Sequence, residues 1–223
     1  MGIPYFLEEN CNDFPPPSRL LTHDLAVIGS NLDPDSLLKA YRKGYFPWYN
    51  QGEPRCWFHL DPRFVLFPSK LHISKSMRPV MKKFNFVMDT AFPEVIHNCR
   101  TVWRDGQSGG SWISDEIENA YTKMFELGYA HCAEAWQGND LVGGLYGIRI
   151  GQVFFGESMF SKISNASKFA FISFVKEFEK SGGKLIDCQQ ETQHLASLGA
   201  ELISRKEFVG YLEKYIPQNE NIW

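Results

Sequence analysis

The stretch AHCAEAWQGNDLVGGLYGIRIGQVFFGESMF, residues 130–160, decides the architecture. QGND at 137–140 and GQ at 151–152 cut it into the runs AHCAEAW, LVGGLYGIRI and VFFGESMF. Each run is of strand length, and breaks this short join antiparallel neighbours, so the stretch reads as a three-stranded meander. Downstream, a long helix is expected from about Ala166 to Lys180, stopped at Gly182 and Gly183, followed by a strand at LIDCQ, residues 185–189. Upstream, Ser114 is placed to cap a helix with Asp115 and Glu116 in its first turn and Gly128 as its stop. Ile117, Ala120, Tyr121 and Met124 share its apolar face. Near the end of the chain, Ser204 and Glu207 have the spacing of a capping box for a last helix.

Towards the amino terminus the signals weaken. Residues 1–30 lack sustained periodicity, and the prolines at 15–17 imply an extended arm. Asp33 as cap, Pro34, the apolar Leu37, Leu38 and Tyr41, and Gly44 outline a short helix. YFPWYNQGEPRCWFHLDPRFVLFP, residues 45–68, suits an ordered loop with short strands. After it come the basic run KLHISKSMRPVMKKF at 70–84, a strand at FNFVMD and a short helix at FPEVIHNC. The expected fold is α+β: a small N-terminal domain at 1–62, then a mixed sheet with flanking helices at 63–223.

Composition narrows the function classes. The 223 residues are 43% hydrophobic and 22% charged, as in an ordinary globular protein, and rich in rings, with 6 Trp and 18 Phe. A net charge of -3 argues against coating of nucleic acid by bulk attraction but allows a local basic patch. Cys11, Cys56, Cys99, Cys132 and Cys188 are odd in number and lack CxxC spacing, which argues against a disulfide framework or a zinc site and for a reducing cytoplasm. MGIPYFLEEN lacks a basic region followed by an apolar run, and no window reaches the roughly 18 apolar residues of a membrane helix. The chain reads as soluble and not exported.

A meander, then a helix, then a strand is the order of the N-acyltransferase (GNAT-like) superfamily, which suggests acyl transfer to an amine. The turn that would cradle the pyrophosphate of coenzyme A reads FSKISNAS, residues 160–167, without a glycine to let backbone amides approach. A different acyl donor is therefore expected.

Motifs along the chain point to that donor: FPW at 46–48, DPR at 61–63, LHISKSM at 71–77, GGSWI at 109–113, LVGGLYG at 141–147, FGESMFS at 155–161, NASK at 165–168, and LIDCQ followed by HLASLGAE. Together they resemble the leucyl/phenylalanyl-tRNA–protein transferase family. WFHLDPR departs from the family's usual WWSPDPR at Phe58, His59 and Leu60. The resemblance implies transfer of Leu or Phe from aminoacyl-tRNA to the α-amine of an N-terminal Lys or Arg, marking the acceptor for N-degron-dependent degradation. It implies a cytoplasmic monomer with no cofactor, metal or membrane partner. The competing classes are a CoA-dependent N-acetyltransferase and a non-catalytic module that binds charged tRNA.

An aminoacyl ester is already activated and an α-amine has a reference pKa of about 7.7 to 8.0, so a modest base suffices. Strand alternation puts Asp187 and Gln189 on one face, with Cys188 on the other in the core. The resemblance makes Asp187 and Gln189 a proton relay; read alone, Asp187 equally well braces a loop. Cys188 suits a buried thiol better than a nucleophile, and His194 a hydrogen-bonding group better than an acid or base. Glu157 is a counter-charge for an amino group or a turn carboxylate, with Ser158 beside it. Trp48 and Trp112, in non-helical settings, are either core or, as the resemblance implies, stacking platforms for a terminal adenine. Leu145, Phe154, Phe171 and Phe178 match the family's side-chain pocket or are plain core. Lys70, Lys75, Arg78, Lys82 and Lys83 form either a solvated face or a dock for acceptor-stem phosphates.

Overall fold

The computed structural model describes residues 3–21, 24–102 and 111–217. Its first part contains strands where the expected extended arm lay. β1 (Tyr5–Leu7) runs parallel to β2 (Leu25–Gly29). α1 (Pro34–Arg42) starts where Asp33 accepts from the Ser36 amide. β3 (Phe46–Pro47) and β4 (Cys56–Phe58) complete a four-stranded sheet in the order β1-β2-β4-β3. β1 and β2 escape a pattern-based reading because three- and five-residue strands are too short to show a period.

β5 (Arg63–Leu66), the single turn α2 (Met77–Met81), β6 (Asn85–Met88) and α3 (Phe92–Thr101) follow. α4 (Asp115–Glu126) is capped by Ser114 as expected. β7 (Ala130–Gln137), β8 (Asp140–Ile150) and β9 (Val153–Ser161) form the antiparallel meander. α5 (Ala166–Lys180) and β10 (Leu185–Gln189) match their expected spans. α6 (Gln193–Ala196), β11 (Glu201–Ile203) and α7 (Arg205–Tyr215), with its capping box, complete the described chain.

The second sheet has seven strands in the order β11-β5-β10-β9-β8-β7-β6. It is mixed, because α5 carries the chain back to lay β10 parallel to β9 while β10 pairs antiparallel with β5. Alternation along β8 and β9 separates two buried clusters. Tyr146, Ile148 and Phe155 join α3, α4, α7 and the small sheet on one face; Leu145 and Phe154 join α5 on the other. α5 packs closely because Gly143 of β8 has no side chain: a Cβ there would sit 2.6 Å from that of Ala166. The expected mixed sheet with flanking helices is the observed architecture. Among the described residues, no helix is long and apolar enough to cross a membrane.

Candidate active site

The parallel β9 and β10 pair through Val153–Leu185, Phe154–Ile186 and Phe155–Asp187, and beyond that point no further pairing joins them. A cavity of about 560 Å³ lies where they part. Leu145, Phe154, Phe171 and Ile186 supply apolar wall, Glu157, Ser158, Asp187 and Gln189 polar wall, and Trp48 and Trp112 also line it. An apolar recess with a few polar groups is the usual form of a small-ligand site.

Asp187 is fully buried against Arg63 of β5, itself fully buried. Arg63 Nε and Nη2 donate to Asp187 Oδ1 and Oδ2 at 2.8 and 2.6 Å. The guanidinium lies between the rings of Phe46 and Phe208, 4.6 and 4.7 Å from their centroids. Bidentate pairing and stacking on both faces are what a planar guanidinium does best. Asp187 Oδ1 also accepts the Gln189 backbone N–H at 2.9 Å, and Gln189 has φ 60°, the left-handed region. Such a conformation costs about 1–3 kcal/mol in a residue with a side chain and persists only where the surroundings impose it. Here the Asp187 carboxylate does so.

That turn corrects the expected faces. The register against β5 shifts between Asp187 and Gln189, leaving Cys188 as the extra residue of a bulge. Alternation fails there, and Asp187, Cys188 and Gln189 all line the cavity. Cys188 is half-buried rather than sealed in the core, and burial, seconded by Asp187, pushes its thiol pKa up, away from the nucleophilic thiolate.

Glu157 of β9 faces Gln189 across the parted strands, and the Gln189 side-chain amide donates to its Oε1 at 3.1 Å. Tyr41 of α1 donates to the same oxygen at 2.7 Å, and Tyr121 of α4 to Oε2 at 3.1 Å. The two tyrosine hydroxyls also lie against each other, and since each has a single proton this contact alternates with one of their bonds to Glu157. Burial pushes the Glu157 carboxyl up to about 7, against the opposing pull of the two hydroxyls. Both tyrosines are raised well above their usual range by burial and then by Glu157, so they stay protonated donors.

Of the expected pocket residues, Phe178 does not line the cavity. It packs behind the wall, stacked on Phe174 at 5.6 Å and against Phe154 at 6.1 Å. Trp48 is 38% exposed and leans on Phe58 at 5.3 Å, so one of the departures from the family pattern supports this wall. His194 is a cavity residue whose Nε2 has no hydrogen-bond partner among the described residues; burial, then Lys168, lowers its proton affinity. Gly109 and Gly110 of GGSWI lie outside the described residues.

The basic residues lie outside the cavity wall. Lys70 pairs with Glu201 and covers the Phe67 ring. Lys75, Arg78, Lys82 and Lys83 are exposed and form no ion pair among the described residues.

Arg63, Tyr41 and Tyr121, which hold the two carboxyls of the cavity wall from behind it, are residues that sequence reasoning misses. DPR stands out only as a motif, and both tyrosines fall on apolar helix faces, where a ring is expected to pack. Their hydroxyls are the available signal, since a buried tyrosine hydroxyl needs a partner.

Two family models match the chain: the leucyl/phenylalanyl-tRNA protein transferase N-terminal domain over residues 30–61 and leucyl/phenylalanyl-tRNA protein transferase over residues 65–213. A protein of that name from Christiangramia forsetii is 50% identical over 212 residues, covering 93% of this chain and 99% of the relative. Another from Myxococcus xanthus is 45% identical over 216 residues, covering 96% and 92%. Among solved structures, L-PGS from Bacillus licheniformis aligns with a TM-score of 0.43 and 12% identity over 72% of this chain and 53% of that one, too distant to assign anything. Matched along most of its length and close to half identical to named relatives, the chain belongs to the leucyl/phenylalanyl-tRNA protein transferase family.

Proposed function

We infer that this protein is an aminoacyltransferase that moves a leucyl or phenylalanyl group from tRNA onto a protein. The acceptor in this reading is the α-amine of an N-terminal Lys or Arg, the product is a new peptide bond, and the outcome is N-degron-dependent degradation. The observation that carries it is the cavity's combination of an apolar recess with the Glu157–Gln189 pair. Leu or Phe fills the recess beside Leu145, Phe154 and Phe171, with Phe178 supporting Phe154 from behind. Trp48 and Trp112 stack on the terminal adenine, and Glu157 and Ser158 face the aminoacyl group.

Gln189 orients the reacting groups, and Asp187, itself anchored by Arg63, acts from behind it by holding its backbone. Lys75, Arg78, Lys82 and Lys83 meet acceptor-stem phosphates, with Lys70 at the edge of the patch. The division near residues 62–63 and a cytoplasmic monomer belong to the same reading. The test is incubation with labelled Phe-tRNA and a peptide beginning with Arg, with acetyl-CoA in a parallel tube. Label in the peptide supports transfer. Acetylated peptide would instead indicate an N-acetyltransferase, and retention of Phe-tRNA without transfer a binding module.

A further inference from the structure

We propose that Glu157 takes the proton shed by the attacking α-amine, and that Tyr41 and Tyr121 are the positioning residues that hold its carboxyl for that step. The proposal rests on the aminoacyl-transfer reading and deepens it. Among the described residues two carboxyls reach the cavity wall, and they differ in kind. Both Asp187 oxygens are taken by a guanidinium, and one of them also by a backbone amide. The lone pairs of a carboxylate so held are committed to its structural partners.

Among the described residues Glu157 is held by neutral donors alone: the Tyr41 and Tyr121 hydroxyls and the Gln189 amide. It forms no ion pair among the described residues. A buried carboxylate without a cation is the group most improved by gaining a proton. The groups that bear on it are Tyr41 from α1, Tyr121 from α4 with Tyr146 of β8 behind it, Asp187 from β10, which raises its proton affinity, and Arg63 from β5, which lowers it. The near-neutral pKa of Glu157 agrees with this arrangement.

The acceptor arrives as an ammonium and gives one proton to the Glu157 carboxylate, which becomes a carboxylic acid. The freed nitrogen lone pair forms the C–N bond at the ester carbonyl. As the C–O bond to the ribose breaks, the ribose oxygen takes the second N–H proton. Glu157 then returns its proton to solvent. The sum is ammonium plus ester to amide, alcohol and one proton. Because the tyrosines sit on α1 and α4, both the N-terminal segment and the main sheet's helices set the strength of this base.

The test is single-turnover transfer from saturating Phe-tRNA to an Arg-peptide across neutral pH, for the wild type, Glu157→Gln, Tyr41→Phe and Tyr121→Phe. Glu157→Gln is expected to lose about 100- to 10,000-fold near neutrality and to recover partly at higher pH, where the amine is already free. Each Phe variant removes a donor to the carboxylate and should move the acid limb of the profile up by about one to two pH units. A tyrosine serving only as packing would lower the rate equally at every pH. Glu157→Gln transferring with the wild-type rate and profile would overturn the proposal, as would an unmoved acid limb in both Phe variants. The Phe variants decide the matter should Glu157→Gln fail to fold. Active wild type with unaffected variants defeats this proposal alone, whereas wild type that binds Phe-tRNA without transfer defeats the transfer reading and this proposal with it.

Discussion

Arg63 and Asp187, 124 positions apart in the chain, meet in a fully buried bidentate pair at 2.8 and 2.6 Å. Removing one charge of such a pair strands the other, at a cost of about 3–5 kcal/mol. Asp187→Asn is therefore expected to lower the denaturant midpoint substantially and, as the unpaired Arg63 disturbs the turn that holds Gln189, to weaken tRNA binding. Arg63→Lys should destabilise too, because an ammonium cannot reproduce the two-point pairing or the stacking between Phe46 and Phe208. Asp187→Asn that melts and binds as wild type yet transfers slowly would instead give Asp187 the proton-relay role.

Glu157 links stability to pH. Its folded-state pKa of about 7 lies above the ordinary 4.5, so between those values the unfolded chain has released a proton that the folded one keeps. The unfolded state then binds fewer protons, and stability falls as pH rises through that window. Glu157→Gln removes this dependence. Thermal melts of both proteins at about pH 5 and about pH 8 should show the variant gaining on the wild type at the higher value.

Leu145 forms part of the apolar wall. Leu145→Phe shortens the recess and should reduce transfer of Phe more than transfer of Leu. Apolar pockets discriminate by about 1–3 kcal/mol for a change of this size, so the ratio of kcat/KM for Leu-tRNA over Phe-tRNA should rise by at least about fivefold. Overpacking should also cost about 1–3 kcal/mol of stability, and a parallel melt separates the two effects.

Trp48 offers a partly exposed indole at the cavity wall. Trp48→Ala should weaken binding of a minimal aminoacyl-adenosine by about 5- to 150-fold, the equivalent of about 1–3 kcal/mol of stacking. Trp48→Phe should restore most of it. Equal affinity in all three proteins would remove Trp48 from the adenine site.

Replacing Lys75, Arg78, Lys82 and Lys83 together with Ala tests the exposed patch. Each phosphate contact on a duplex contributes about 0.9 to the slope of log affinity against log salt. Loss of the patch should weaken tRNA binding and flatten that slope by up to about 3–4. Transfer from the minimal donor should persist, since none of the four lines the cavity. Equal loss with both donors would refute phosphate docking.

Local chemistry in the sequence determined most of the elements. The Asp33 and Ser114 caps, the Ser204–Glu207 capping box and the glycine stops act within a few residues, so the amino-acid order alone locates α1, α4 and α7. The meander is equally legible, because its turns are short and its strands long. Motif resemblance locates the cavity residues Trp48, Trp112, Leu145, Phe154, Glu157 and Gln189.

Tertiary structure alone decided how those residues are held. β1 and β2 are strands because they pair with each other and β2 with β4, and that partnership leaves no trace in three or five residues. Asp187, Cys188 and Gln189 share one wall because a bulge against β5 breaks the alternation that would have separated them. Tyr41 reaches Glu157 across 116 positions and Tyr121 across 36, so their hydroxyls meet the carboxyl only when α1 and α4 converge on β9. Sequence periodicity reports which face of an element is buried; what that face touches is settled by the packing of elements distant in the chain.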